Sequence, residues 1–270
     1  MNIDLFKYIF PGIYFYQTRL HLVSRKISFL FIYIVPSFYI YTLGLSFYNI
    51  NTFSIFYYIL SIASLYLVYE IGYIENDTIS NSVEVNSTKR LNKTEYEFLN
   101  SNKGRIYLSR LFLFIIVLYI HSSQVFLTLS SFMVCVFYFI YNRTRFIRLR
   151  LPIHFILVTS RYYFPCYVCF GFDVKILIFS MLIFPLHNTL ERCREEKFNF
   201  STRLRSLVLF NASSGRVIYY FFICLLSLIF DKMYCDIDIK FMTYGFLYFF
   251  VYRLFCLLFE SCGRLLKSKF

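Results

Sequence analysis

Apolar runs of roughly 20 residues recur along this chain, and each is long enough for one helical crossing of a hydrocarbon core. Eight segments qualify, near 27 to 48, 53 to 74, 106 to 121, 123 to 141, 151 to 171, 174 to 189, 212 to 230 and 241 to 260, the third and sixth being short. The expected fold class is therefore all-α, a polytopic membrane helical bundle of about eight transmembrane helices. Segments one to four and five to eight form comparable halves, about 27–141 and 151–260, each with a tight first turn and a long loop between its second and third helices. Before them, residues 1 to 26 mix Phe6, Tyr8, Phe10, Tyr14 and Tyr16 with Lys7, Arg19, Arg25 and Lys26, the pattern of an interfacial amphipathic segment.

Composition agrees. The 270 residues are 59% hydrophobic and 23% aromatic, far from the usual soluble mix. The aromatic excess carries little functional weight by itself. A net charge of +13 resembles a nucleic-acid footprint until the basic residues are located, in short loops between apolar runs. No nucleic acid is expected as a partner; the bilayer is. Eight cysteines show no zinc-type pairing, and the CxxC of Cys166 and Cys169 lies inside an apolar run, as buried thiols do. No cleavable signal peptide is evident, since the first apolar run is too long for one and lacks a small-x-small site.

Loop charges orient the chain. The N-terminus, every second connection and the C-terminus together hold 22 Lys and Arg, against 3 in the opposite loops, Lys175, Lys232 and Lys240. By the positive-inside rule both termini are cytosolic, and the expected location is a bacterial cytoplasmic membrane. Arg161, Arg216 and Arg253 remain inside apolar runs, where a charge lines a cavity or finds a partner. Arg253 can pair with Glu260 or snorkel. Arg161 has no acid within a turn of its own helix, which makes it a candidate ligand for an anion.

Both long loops carry acids. Tyr73, Asp77, Ser80 and Glu84 fall at i, i+4, i+7 and i+11, one helix face, and Glu70 extends that stripe two turns below Asp77. In "HNTLERCREEKF", Glu191 and Glu195 stand at i and i+4, with His187 and Asn188 a turn earlier. Two carboxylate-bearing helix ends on one membrane side suit a magnesium diphosphate, because magnesium takes one or two carboxylates and completes its shell with water and phosphate oxygens. Balancing the basic residues of a solvated loop is the simpler reading of the same spacing.

"NDTISNSVE", residues 76 to 84, followed by "STKRL", resembles the first aspartate-rich motif of the UbiA-type intramembrane prenyltransferases. "YNRTRFIRLRLP", from Tyr141 to Pro152, resembles that family's signature after the fourth helix, and "ERCRE", Glu191 to Glu195, stands in the place of the second motif. The likeness covers nearly the whole chain in layout and about a dozen positions in letters. Ser80 replaces the family's second aspartate, Glu84 its third, and both aspartates of the second motif are Glu.

The resemblance implies a UbiA-like bundle and a Mg2+-dependent transferase that moves a prenyl group from a prenyl diphosphate. It implies Asn76, Asp77, Glu84, Glu191 and Glu195 as metal ligands, Asp77 and Glu191 being catalytic, and Lys89, Arg90, Tyr141, Arg148 and Arg161 against a polyisoprenoid phosphate or diphosphate. Relatives in this fold instead join a phosphorylated sugar group to a polyprenyl phosphate, which the departures leave open. A lipid or small-solute transporter, or an inactive membrane scaffold, is the rival from another class.

Overall fold

The computed structural model describes residues 5–48, 55–80, 90–198, 200, 212–234 and 237–267, and every regular element in them is helical. Five helices are long and apolar enough to cross a membrane: Val23–Phe47, Ile55–Ile79, Gln124–Arg143, Ser213–Tyr234 and Ile237–Glu260. A sixth is added if Val174–Ile183 and Pro185–Arg192, bent by 41°, form one span. These are the helices of an integral membrane protein. Of the eight expected spans, five or six meet this measure among the described residues, and the two remaining segments are helical as well. One belongs to Lys93–Ile120, whose first half is polar, and the other to Arg150–Phe170, which carries Arg150, His154 and Arg161.

The chain forms two compact units, 1–174 and 175–270, so the division falls after the fifth apolar segment rather than the fourth. In the first unit, α1 (Phe6–Ile9), α2 (Ile13–Arg19) and α3 (Val23–Phe29) lead through a π-helical turn, Leu30–Ile34, into α4 (Val35–Phe47). Then follow α5 (Ile55–Glu75), a second π-turn at Asn76–Ser80, α6 (Lys93–Ile120), α7 (Gln124–Arg143) and α8 (Arg150–Phe170). A capping box starts α6: Glu95 N–H donates to the Asn92 side chain at 2.8 Å, and Asn92 N–H to Glu95 Oε2 at 3.2 Å. Gly171, at φ +80°, ends α8 in a positive-φ conformation that glycine, lacking a Cβ, adopts without steric strain.

α5 is the central helix, packing on α6, α7 and α8. Its Leu65, Val68 and Tyr69 join Val134 and Tyr138 of α7 and Leu157 of α8 in one core. Gly72 lets α7 come close, since a Cβ there would meet the Tyr138 ring at 2.3 Å. A second core sets Tyr8 and Tyr14 against Ile74, Leu99 and Ile106. The N-terminal segment, expected to be interfacial, packs through Leu20 into the first unit. Its apolar residues alternate with charges because its inward face is a core face.

Tyrosines repair the proline breaks. Pro36 and Pro165 cannot donate to the carbonyls four residues back. Tyr162 Oη donates to Ile32 O at 2.8 Å and Tyr33 Oη to Arg161 O at 3.3 Å, so each helix supplies the hydroxyl the other needs. The second unit does the same. Between α9 (Val174–Ile183) and α10 (Pro185–Arg192), the carbonyls of Leu182 and Ile183 accept from Tyr219 at 2.8 Å and Tyr220 at 2.6 Å, both on α11 (Ala212–Tyr234). α11 packs along α12 (Ile237–Lys267).

Candidate functional site

Glu70, in the middle of an apolar helix, is fully buried and ionically paired. Its Oε2 accepts from Arg110 Nη2 at 2.8 Å, and its Oε1 from the Phe15 backbone N–H at 2.6 Å. Arg110 is itself 1% exposed and completes its shell on backbone: Nε donates to Tyr8 O at 2.7 Å and Nη1 to Leu67 O at 3.0 Å. Together they clamp α1 and α2 onto α5 and α6. Arg110, counted among the 22 charges of the loops expected to be cytosolic, is thus buried inside the unit.

Two turns on, where α5 widens into its π-turn, Asp77 is 2% exposed. Its carboxylate accepts from Tyr14 Oη at 2.7 Å, from Arg19 Nη2 at 2.8 and 2.9 Å, and from Arg90 Nη1 at 3.1 Å. Burial, then Asp77, raises the Tyr14 pKa, so the hydroxyl stays a donor. Burial and then the neighbouring Arg19 lower the Arg90 pKa, the mark of two guanidiniums crowded on one carboxylate. Arg19, Arg90 and Asp77 leave net positive charge at this end of the unit.

Beside this clamp stands Arg161 of α8. Its guanidinium lies 4.3 Å from the Tyr69 ring centroid, 5.5 Å from Tyr73 and 5.6 Å from Phe15. Aromatic faces hold a desolvated guanidinium by roughly 2 kcal/mol each without neutralising it. No carboxylate pairs with Arg161 among the described residues, and its Nε has no hydrogen-bond partner. Arg19 reaches the same Tyr73 ring, 4.7 Å from its centroid, with Nη1 also unpartnered. One aromatic ring thus brings together two guanidiniums from opposite ends of the first unit's sequence.

In the second unit, Arg216 grips Glu191 bidentately, Nε to Oε1 at 2.7 Å and Nη2 to Oε2 at 3.0 Å. His187, fully buried, sets Nε2 3.6 Å from Glu191 Oε1 and its ring against Tyr219 and Tyr220. Arg253 is buried and does not pair with Glu260, which accepts from Ser213 Oγ at 2.7 Å.

Several sequence expectations change on this geometry. Asp77 has both carboxylate oxygens held by Arg19 and Arg90, and Glu191 both held by Arg216, so a magnesium ion at either would share or displace those contacts. Among the described residues no group of three or more His, Cys, Asp or Glu side chains is placed to hold a metal ion. Glu195 does not share a helix face with Glu191, because α10 ends at Arg192 and a turn follows. The π-turn likewise shifts Asn76 to Ser80 off the simple helical stripe. Glu84 and Lys89 lie outside the described residues. Arg148 is exposed on the short 3-10 turn Ile147–Leu149, and Tyr141 packs at the edge of the α5 core, near Arg150. Arg90 and Arg161 do stand at one end of one unit.

Sequence reading missed Tyr14, Phe15, Arg19, Tyr69 and Arg110. A signal existed for Arg110: Glu70, an acid inside an apolar run, requires a basic partner at similar depth, and Arg110 opens the third run. Cys166 and Cys169 are buried free thiols, as read. Comparison of the chain with protein-family models, with curated proteins and with solved structures finds no match in any of the three.

Proposed function

We propose that this protein is an integral-membrane transferase acting on a polyisoprenoid phosphate or diphosphate, in the manner of the UbiA-type enzymes its motifs resemble. The observation that carries the reading is Arg161, a guanidinium caged by Phe15, Tyr69 and Tyr73 with an unpartnered Nε and, among the described residues, no carboxylate paired with it. A cation kept charged yet unneutralised in an apolar helix bundle is a receptor for an anion whose remainder is apolar. Arg161 and Arg19 meet the phosphate oxygens. Arg90 adds positive charge from the cytosolic connection.

In prenyl transfer the bond from the prenyl carbon to the diphosphate oxygen breaks as the acceptor attacks, and charge grows on the departing diphosphate. Fixed guanidiniums stabilise that charge without reorganising. Here Asp77 acts through Arg19 and Arg90, orienting them. Phosphorylated-sugar transfer onto a polyprenyl phosphate calls for the same anion receptor and is separated from prenyl transfer by the donor used.

The test is turnover in purified membranes supplied with labelled prenyl diphosphates or polyprenyl phosphates, with and without magnesium. Arg161→Lys keeps the charge and loses the planar fork, so KM should rise about tenfold or more while accumulation in the membrane stays normal. Full turnover and unchanged KM in Arg161→Met would remove the reading.

A further inference from the structure

The second unit holds a buried polar cluster that this reading leaves unused. His187 is fully buried, yet neither ring nitrogen has a hydrogen-bond partner. Arg253 is 5% exposed, its Nε likewise has no partner, and no carboxylate pairs with it among the described residues. Tyr220 lies between the two: the His187 ring stacks on it at 5.9 Å, and Phe249, one turn before Arg253 on α12, stacks on it at 5.1 Å. Buried polar groups are nearly always satisfied, and a buried charge left alone is among the costliest arrangements a fold can carry. Arg216, close by, is already neutralised by Glu191.

We propose that His187 and Arg253 form a binding site for one phosphate group, whether on a lipid headgroup or free in solution. Arg253 supplies the charge and the Nε–H, and His187 donates from one ring nitrogen. An oxyanion accepts from several directions at once, which suits donors arriving from two different helices. His187 stands on α10, a helix of eight residues beginning at Pro185 and held to α11 by the His187 ring against Tyr219 and Tyr220 and by the Glu191–Arg216 pair. This site stands independently of the transferase reading, since it shares no residue with the Arg161 cage.

The experiment titrates the full chain in nanodiscs with sodium phosphate or with short-chain phosphatidic acid, against sodium chloride of equal ionic strength, and follows the unfolding midpoint. In the Arg161→Met background, which removes the cage proposed above, the chain should show a saturable rise that adding Arg253→Met abolishes. Arg253→Lys and His187→Gln should weaken the apparent affinity about tenfold. A response to phosphatidic acid alone identifies a lipid headgroup, and a response to phosphate as well identifies free phosphate as sufficient; both support the site. No saturable response to either probe in the Arg161→Met background, or a response there that survives the added Arg253→Met, overturns it. A response lost in Arg161→Met but intact in the Arg253 variants also overturns it, and leaves the transferase reading in place. Should Arg253→Met fail to accumulate, unchanged affinity in both Arg253→Lys and His187→Gln is the overturning result.

Discussion

The four acids that stand out in "EIGYIEND" and "HNTLER" do structural work through arginine. Glu70, Glu75, Asp77 and Glu191 are held by Arg110, Arg143, Arg19 with Arg90, and Arg216 respectively. The consequences differ with depth. Glu75 and Arg143 are partly exposed at 3.1 Å and contribute little. Glu70 and Arg110 are both fully buried, so Arg110→Met strands a carboxylate and should cost about 3–5 kcal/mol, visible as a lower unfolding midpoint in detergent. A midpoint within error of wild type would mean the pair is not formed. Asp77→Asn should remove turnover and also release α2, so that trypsin cleaves at Arg19 sooner than in wild type. Lost turnover with unchanged cleavage would return Asp77 to a role in the chemistry itself.

At the scale of the helix, glycine and tyrosine decide how closely elements approach. α5 meets α7 at Gly72, whose carbonyl also accepts from Asn142 Nδ2 at 3.0 Å. Gly72→Ala would press a methyl into the Tyr138 ring, and should lower stability by about 1–3 kcal/mol in a thermal melt; unaltered stability would show that α7 can withdraw freely. The aromatic content, which carries little meaning as a percentage, gains it here. Tyr33 and Tyr162, and then Tyr219 and Tyr220, each restore a carbonyl at a break containing proline. Proline positions are visible in the chain. Which tyrosine answers each one is not, because the partners are as far apart as residues 32 and 162.

For the molecule as a whole, with the buried Arg110 set aside, a 21-to-3 asymmetry of charges still predicts a single orientation. Reporter fusions after residues 100, 146 and 198 should report the cytosol and one after 235 the opposite side; an extracytosolic signal at 100 would place Arg90 away from cytosolic donors. Residue order by itself determined that the chain is helical and membrane-bound, because run length and hydropathy are local properties that a bilayer reads directly. It also marked Arg161 and the acids as anomalies, since a charge in an apolar run stands out without any knowledge of its neighbours. Only the tertiary structure decided what those anomalies mean. Asp77 lies 58 residues from Arg19, and Glu70 lies 40 from Arg110. Whether a carboxylate is free for a metal or already neutralised depends on which distant helix arrives beside it, and that is settled by packing around α5, not by spacing along the chain.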